Sequence, residues 1–225
     1  MKILTFIRYF FYLGINWNWR IAAKIIAQEI KGEKKYEINT TGADELQSLE
    51  KNGIDISHAT IYMPISYVLL QEIFRQLPLQ PSNHFLDIGC GKGRVLCVAA
   101  QLGYSKLTGI DFSKDLCEEA TANLEHTKIK FPDLQYTIIT KDAMNYEIPK
   151  DADRIFLFNP FDIVVMGAVV YNIMESAQEY PRDIYVIYAN PIYAELFIDE
   201  GFEEVFHTKA MKYLEASILK LPALH

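Results

Sequence analysis

At 225 residues, half of them hydrophobic and with 14 Tyr and 13 Phe, the chain has enough apolar surface to offset the entropy lost on folding, which excludes wholesale disorder. Twenty-two Lys and Arg against 29 Asp and Glu leave a formal charge of −7, which repels a polyphosphate backbone unless the basic residues cluster, so nucleic acid is disfavoured as a partner. Cys90, Cys97 and Cys117 form no C-x-x-C pair, which suits a reducing, cytoplasmic setting, and the five histidines show no metal-ligand spacing, so no metal is expected.

In chain order, Ile3 to Leu13 is almost continuously apolar, broken by Thr5 and Arg8. Eleven residues are too few to span a bilayer, which takes about 20 as a helix. The stretch reads as a helix packed on the domain or, alternatively, as an interfacial membrane helix with Trp17, Trp19, Arg20 and Lys24 near the headgroups. Lys31 to Gly53 is polar, and Gly32, Gly42 and Gly53 mark it as loops, with one short helix over Ala43 to Lys51. Ile65 to Leu77 carries apolar residues at helical spacing and is stopped by Pro78 and Pro81. Residues 1–80 therefore read as a helical accessory segment or lid, and 81–225 as the main domain.

From His84 onward, strands and helices alternate. Strands are expected at His84–Ile88, Lys106–Asp111, Leu134–Thr140, Arg154–Phe158 and Ile184–Ala189, with helices at Gly93–Leu102, Ser113–Lys128, Ile163–Tyr180 and Tyr193–Glu200. Two last strands, Phe202–His207 and Met211–Leu219, have only Thr208 to Ala210 between them and must form a hairpin. The fold class is α/β: a doubly wound, mostly parallel seven-stranded sheet with an antiparallel C-terminal hairpin and a helical N-terminal extension.

The chemistry concentrates where strands end. Phe85-Leu-Asp-Ile-Gly-Cys-Gly-Lys-Gly-Arg94 runs from an apolar strand through glycines into a helix. Glycines let backbone approach a ligand, and a helix N-terminus offers free N–H donors. Asp87, two positions before the first glycine, would repel a pyrophosphate but attract the cationic amino group and sulfonium of S-adenosylmethionine. Asp87-x-Gly89-x-Gly91-x-Gly93 resembles the first motif of class I methyltransferases. That resemblance covers about Phe85 to Leu219 and implies S-adenosylmethionine as the cofactor.

Asp111 ends the second strand 22 residues after Gly89, near the spacing of an acid that grips ribose hydroxyls, and Phe112 is placed to pack on adenine. The family's third motif resembles Asp142-Ala143, which implies an adenine contact. Asn159-Pro160-Phe161 resembles the Asn-Pro-Pro-aromatic signature of enzymes that methylate amino or amide nitrogen, with one proline in place of two. By that resemblance Asn159, with the carbonyl after it, orients the nucleophile and Phe161 walls the pocket. Tyr62, in Tyr62-Met-Pro64, matches a Tyr-x-Pro segment that closes over the cofactor in protein-modifying relatives. The expected reaction is methyl transfer to nitrogen, with a protein side-chain amine as acceptor ahead of small molecules and nucleic-acid bases. A nicotinamide-dependent dehydrogenase and a non-catalytic cofactor-binding module are the competing readings.

Overall fold

A computed structural model describes residues 2–16, 18–41, 64–77, 84–158, 161–211 and 214–223. Helices α1 (Lys2–Asn16), α2 (Trp19–Tyr36) and α3 (Tyr67–Gln76) precede strand β1 (His84–Ile88). There follow α4 (Arg94–Gln101), β2 (Lys106–Asp111), α5 (Lys114–Lys130), β3 (Gln135–Thr140), a 3-10 turn at Ala143–Asn145, and β4 (Ala152–Phe158). The chain continues with α6 (Ile163–Glu179), β5 (Ile184–Ala189), α7 (Ala194–Asp199), β6 (Glu203–Met211) and β7 (Leu214–Leu221). The short helix expected over Ala43 to Lys51 lies outside the described residues.

The seven strands form one sheet in the order β3-β2-β1-β4-β5-β7-β6. β1 to β5 run parallel, while β7 lies antiparallel between β5 and β6. The doubly wound mixed sheet expected from the alternation is the observed fold. It departs from the 3-2-1-4-5-6 order of dinucleotide-binding folds by the antiparallel strand inserted next to β5.

Strand periodicity explains why both faces are covered. Phe85, Leu107, Phe156, Ile187 and Ile218 point into one apolar layer with Phe74 of α3 and Leu96 and Val98 of α4. Leu86, Ile88, Ile155, Leu157 and Val186 point into the other, beneath Val165, Met166, Val169 and Ile173 of α6. Strand order reverses between β1 and β4, so the crevice beyond their carboxyl ends is where such sheets bind ligands.

Two local expectations are corrected. Gly32, read as a loop marker, sits inside α2: a Cβ there would lie 2.1 Å from Cδ2 of Tyr67, so the missing side chain lets the Tyr67 ring press on the helix. The last hairpin is longer than expected. Thr208 to Ala210 belong to β6, which pairs with β7 as far as Met211 opposite Leu214 and absorbs register shifts at Glu204/Phe206 and Lys209/Met211. No Gly, Pro or Asn marks a turn at the expected link. Helix α1 packs along α2 through Tyr9, Leu13 and Ala22. Among the described residues no helix is long and apolar enough to cross a membrane.

Candidate cofactor crevice

The glycine turn follows β1 directly. Gly89, Gly91 and Gly93 all adopt positive φ, at 82°, 51° and 75°, a region that side chains disfavour. The amides of Gly89 and Cys90 both donate to the Ile110 carbonyl at 2.9 Å, which fastens the turn to the end of β2. Gly93 is the N-cap of α4 and supplies no side-chain acceptor to the first helical amides. A Cβ on Gly93 would stand 3.1 Å from Cβ of Ala120, so α5 packs close behind the turn.

Two acids lie under this turn. Asp111, at the end of β2, accepts from the Gly91 amide through Oδ2 and from the Ser113 amide through Oδ1, each at 2.9 Å. Burial raises its carboxyl above the usual range, and the amides of Ser113, Gly91 and Phe112 oppose that shift. Asp87 is 2% exposed, and its Oδ2 is buried with no hydrogen-bond partner. Burial, followed by the nearby charge of Asp111, pushes its carboxyl well above the ordinary value. A buried unpaired polar atom costs about 1–3 kcal/mol, so an orphaned carboxylate oxygen beside a glycine turn is a ready acceptor for a cationic group. This donor and acceptor set fits S-adenosylmethionine: an anion for its amino group, a second acid with free lone pairs for ribose hydroxyls, and backbone N–H groups at a helix start.

The remaining sequence-derived residues sit around the same carboxyl ends. Register aligns Asp87 with Gly109 of β2 and Phe156 of β4, and Asp111 with Thr140 of β3. Gly109 has no room for a side chain, since a Cβ would lie 2.7 Å from Leu96 and 2.8 Å from Ile138. Phe112 is half-buried after β2. Asp142 is exposed and uses Oδ1 to cap the 3-10 turn through the Met144 amide at 2.9 Å, while Ala143 is buried in the layer under α6. Phe161 is half-buried against that layer, next to Asp162, which caps α6 by accepting from the amides of Val164 and Val165. Tyr62, Asn159 and Pro160 lie outside the described residues.

Sequence reasoning overlooked Arg94, which follows Gly93. Its buried guanidinium bonds Thr40, the Ile65 carbonyl and both oxygens of Glu29. It also overlooked Asn123 of α5, whose side chain bonds the Lys92 carbonyl and both backbone groups of Asn39. No local signal marks Glu29 or Asn39, because their partners are 65 and 84 residues away.

Comparison with known proteins gives this geometry a family. Residues 85–182 match a family described as a methyltransferase domain. The chain is 33% identical over 72 residues to a ribosomal protein L11 methyltransferase of Desulforapulum autotrophicum, covering 32% of this chain and 24% of that protein. It is 25% identical over 134 residues to an rRNA adenine N-6-methyltransferase of Streptococcus sanguinis, covering 60% of this chain and 46% of that one. The chain thus spans less than half the length of these curated relatives. A solved S-adenosylmethionine-dependent methyltransferase from Thiobacillus denitrificans, in complex with S-adenosyl-L-homocysteine, shares the fold with a TM-score of 0.50 and 21% identity over 65% of this chain and 68% of that one.

The similarity to an rRNA methyltransferase overturns the expectation that a charge of −7 makes nucleic acid an unlikely partner. Net charge says nothing about where the charges stand. Residues 1–36 hold seven Lys and Arg against two Glu, and Arg8, Arg20, Lys24, Lys31, Lys34 and Lys35 are exposed. The glycine turn and the acids beneath it fall within residues 85–182, the part of this Rossmann-like fold that matches the methyltransferase-domain family.

Proposed function

We propose that this protein transfers a methyl group from S-adenosylmethionine to a nitrogen of an RNA base. The observation that carries the cofactor half is the unpartnered, buried Oδ2 of Asp87 beneath three positive-φ glycines. The acceptor half is supported by the 134-residue similarity to an rRNA adenine N-6-methyltransferase and by the exposed cations of α1 and α2, which suit phosphate contact.

Asp87 would hold the amino group, Asp111 the ribose, and Phe112, Asp142 and Ala143 the adenine. Bound S-adenosylmethionine supplies an electrophilic methyl group. Asn159 and the Pro160 carbonyl would accept from the target N–H, and Phe161 would stack on the acceptor ring. Tyr62 would close over the cofactor. Aligning the nitrogen lone pair with the methyl carbon and excluding water are then the main contributions of the chain. In this reading residues 1–80 act as an accessory segment to a catalytic domain at 81–225.

Two measurements test the proposal. Calorimetry with S-adenosyl-L-homocysteine should give binding that Asp87→Ala with Asp111→Ala removes. Labelled S-adenosylmethionine added to a lysate with the protein should label the RNA fraction. Label confined to protein or small molecules would sink the RNA acceptor, and no binding with no transfer would sink the cofactor reading.

A further inference from the structure

The cofactor turn contains three positive-φ glycines in five residues, and glycine has more backbone freedom to lose than any other residue. Contacts from elsewhere must therefore hold its shape. The residues on both sides of Gly93 are tied to the segment upstream of the matched domain, Arg94 directly and Lys92 through Asn123 of α5. Before it, the Lys92 carbonyl accepts from Nδ2 of Asn123 at 2.9 Å, and Asn123 in turn accepts from the Asn39 amide at 2.9 Å and donates to the Asn39 carbonyl at 3.2 Å. After it, Arg94 donates from Nε to Thr40 Oγ1 at 2.8 Å and from Nη1 to the Ile65 carbonyl at 2.7 Å. Its Nη1 and Nη2 also meet Glu29 Oε1 and Oε2 at 3.0 and 2.5 Å, a bidentate pair.

This pair is itself immobilised. The Arg94 guanidinium stacks 4.0 Å from the Tyr67 ring centroid, and Tyr67 stacks in turn on Tyr36. Thr41 donates to Glu29 Oε2 at 2.9 Å, and Glu33 Oε1 accepts from the Thr40 and Thr41 amides at 2.7 and 2.6 Å. Glu29, Glu33, Thr40, Thr41 and Arg94 are all at most 5% exposed. A buried ion pair is a poor source of net stability compared with apolar packing of the same volume, whereas its directional bonds fix orientation well.

We infer that Glu29 is a positioning residue for the cofactor turn. Through Arg94 it fixes the first turn of α4, and with it Gly89 to Gly93, so the affinity for S-adenosylmethionine is set partly by α2, about 60 residues upstream of the motif. The inference rests on the glycine turn being the cofactor site. Pre-organisation of this kind lowers the ordering cost of binding, and coupling is reciprocal: ligand at the turn must tighten the brace.

The test uses the full chain with S-adenosyl-L-homocysteine. Hydrogen exchange at the Thr40 and Thr41 amides should slow at least tenfold with saturating ligand, while amides of α7 keep their rates. Calorimetric binding with no change at Thr40 and Thr41 overturns the brace but leaves the cofactor reading intact. Absence of binding by the unmodified protein overturns both. Glu29→Gln should weaken binding at least tenfold. Because that variant leaves Arg94 buried without its partner, Glu29→Met with Arg94→Met serves as a second variant that restores apolar packing. A cooperatively melting double variant with unchanged affinity refutes the inference.

Discussion

Replacing Asp87 with Asn should stabilise the ligand-free protein while impairing cofactor binding. The carboxylate is fully buried, its Oδ2 has no partner, and Asp111 adds like-charge repulsion. Asn keeps a polar group at this position, so the gain comes from removing the buried charge and its repulsion by Asp111, about 1–3 kcal/mol where the carboxyl is ionised. At roughly 2–4 °C per kcal/mol for a chain this size, the melting temperature should rise by roughly 2–12 °C near pH 8. The pH dependence has a definite sign. A carboxyl raised above its ordinary value of 3.8 in the folded state takes up a proton on folding, so the wild type loses stability as pH climbs above that value, by at most about 1.4 kcal/mol per unit. The advantage of Asp87→Asn should therefore grow from pH 4 to pH 8. Taking the difference between the two proteins cancels the parallel contribution of Asp153, whose carboxyl burial raises to about 6. The same substitution removes a charge-assisted contact to the ligand amino group, worth about 1.5–3 kcal/mol, or about 10- to 100-fold in affinity for S-adenosyl-L-homocysteine. Thermal melts from pH 4 to 8 and calorimetry check both halves. A variant that melts below wild type at pH 8, or binds the ligand equally well, refutes the reasoning.

Other substitutions probe separate parts of the structure. Gly32→Ala gains about 1 kcal/mol of helix propensity but forces a Cβ to within 2.1 Å of the Tyr67 ring, which Tyr36 and Arg94 prevent from swinging away, so a net loss of about 1–2 kcal/mol should appear in urea unfolding. Unchanged or increased stability would contradict that packing. Asn159→Ala should reduce methyl transfer about 100-fold through lost alignment, yet bind S-adenosyl-L-homocysteine like wild type by calorimetry. Asp142→Ala removes an exposed cap on a single 3-10 turn and should cost less than about 1 kcal/mol of stability, while weakening the ligand about 2- to 10-fold if the residue meets adenine.

The architecture was legible in the chain because central strands leave local marks. Ile184–Ala189 is an apolar run, His84–Ile88 and Lys106–Asp111 fall in the regular alternation of strand and helix, and the strands occupy those spans. Asp87, the three glycines and Asp111 were also legible as a group, since each stands at a strand end whose position follows from the alternation itself. Glu29 and Asn39 carried no such mark. What they contact depends on how α2 and the segment after it lie against α4 and α5, at separations of 65 and 84 residues.

Gly32 shows the same division. A glycine in a polar stretch has the local signature of a loop, and only the Tyr67 ring, too close for any side chain, shows why a glycine stands inside this helix. The sequence by itself determined which residues end strands, where backbone can take positive φ, and that a carboxylate precedes the glycines, because these are properties of a residue and its near neighbours. Tertiary structure alone decided that this carboxylate has an orphaned oxygen, that Arg94 is locked to α2, and where the basic residues are exposed. Those outcomes require the sheet to assemble and the helices to pack, since hydrogen-bond partners and burial are set by distant segments meeting in space.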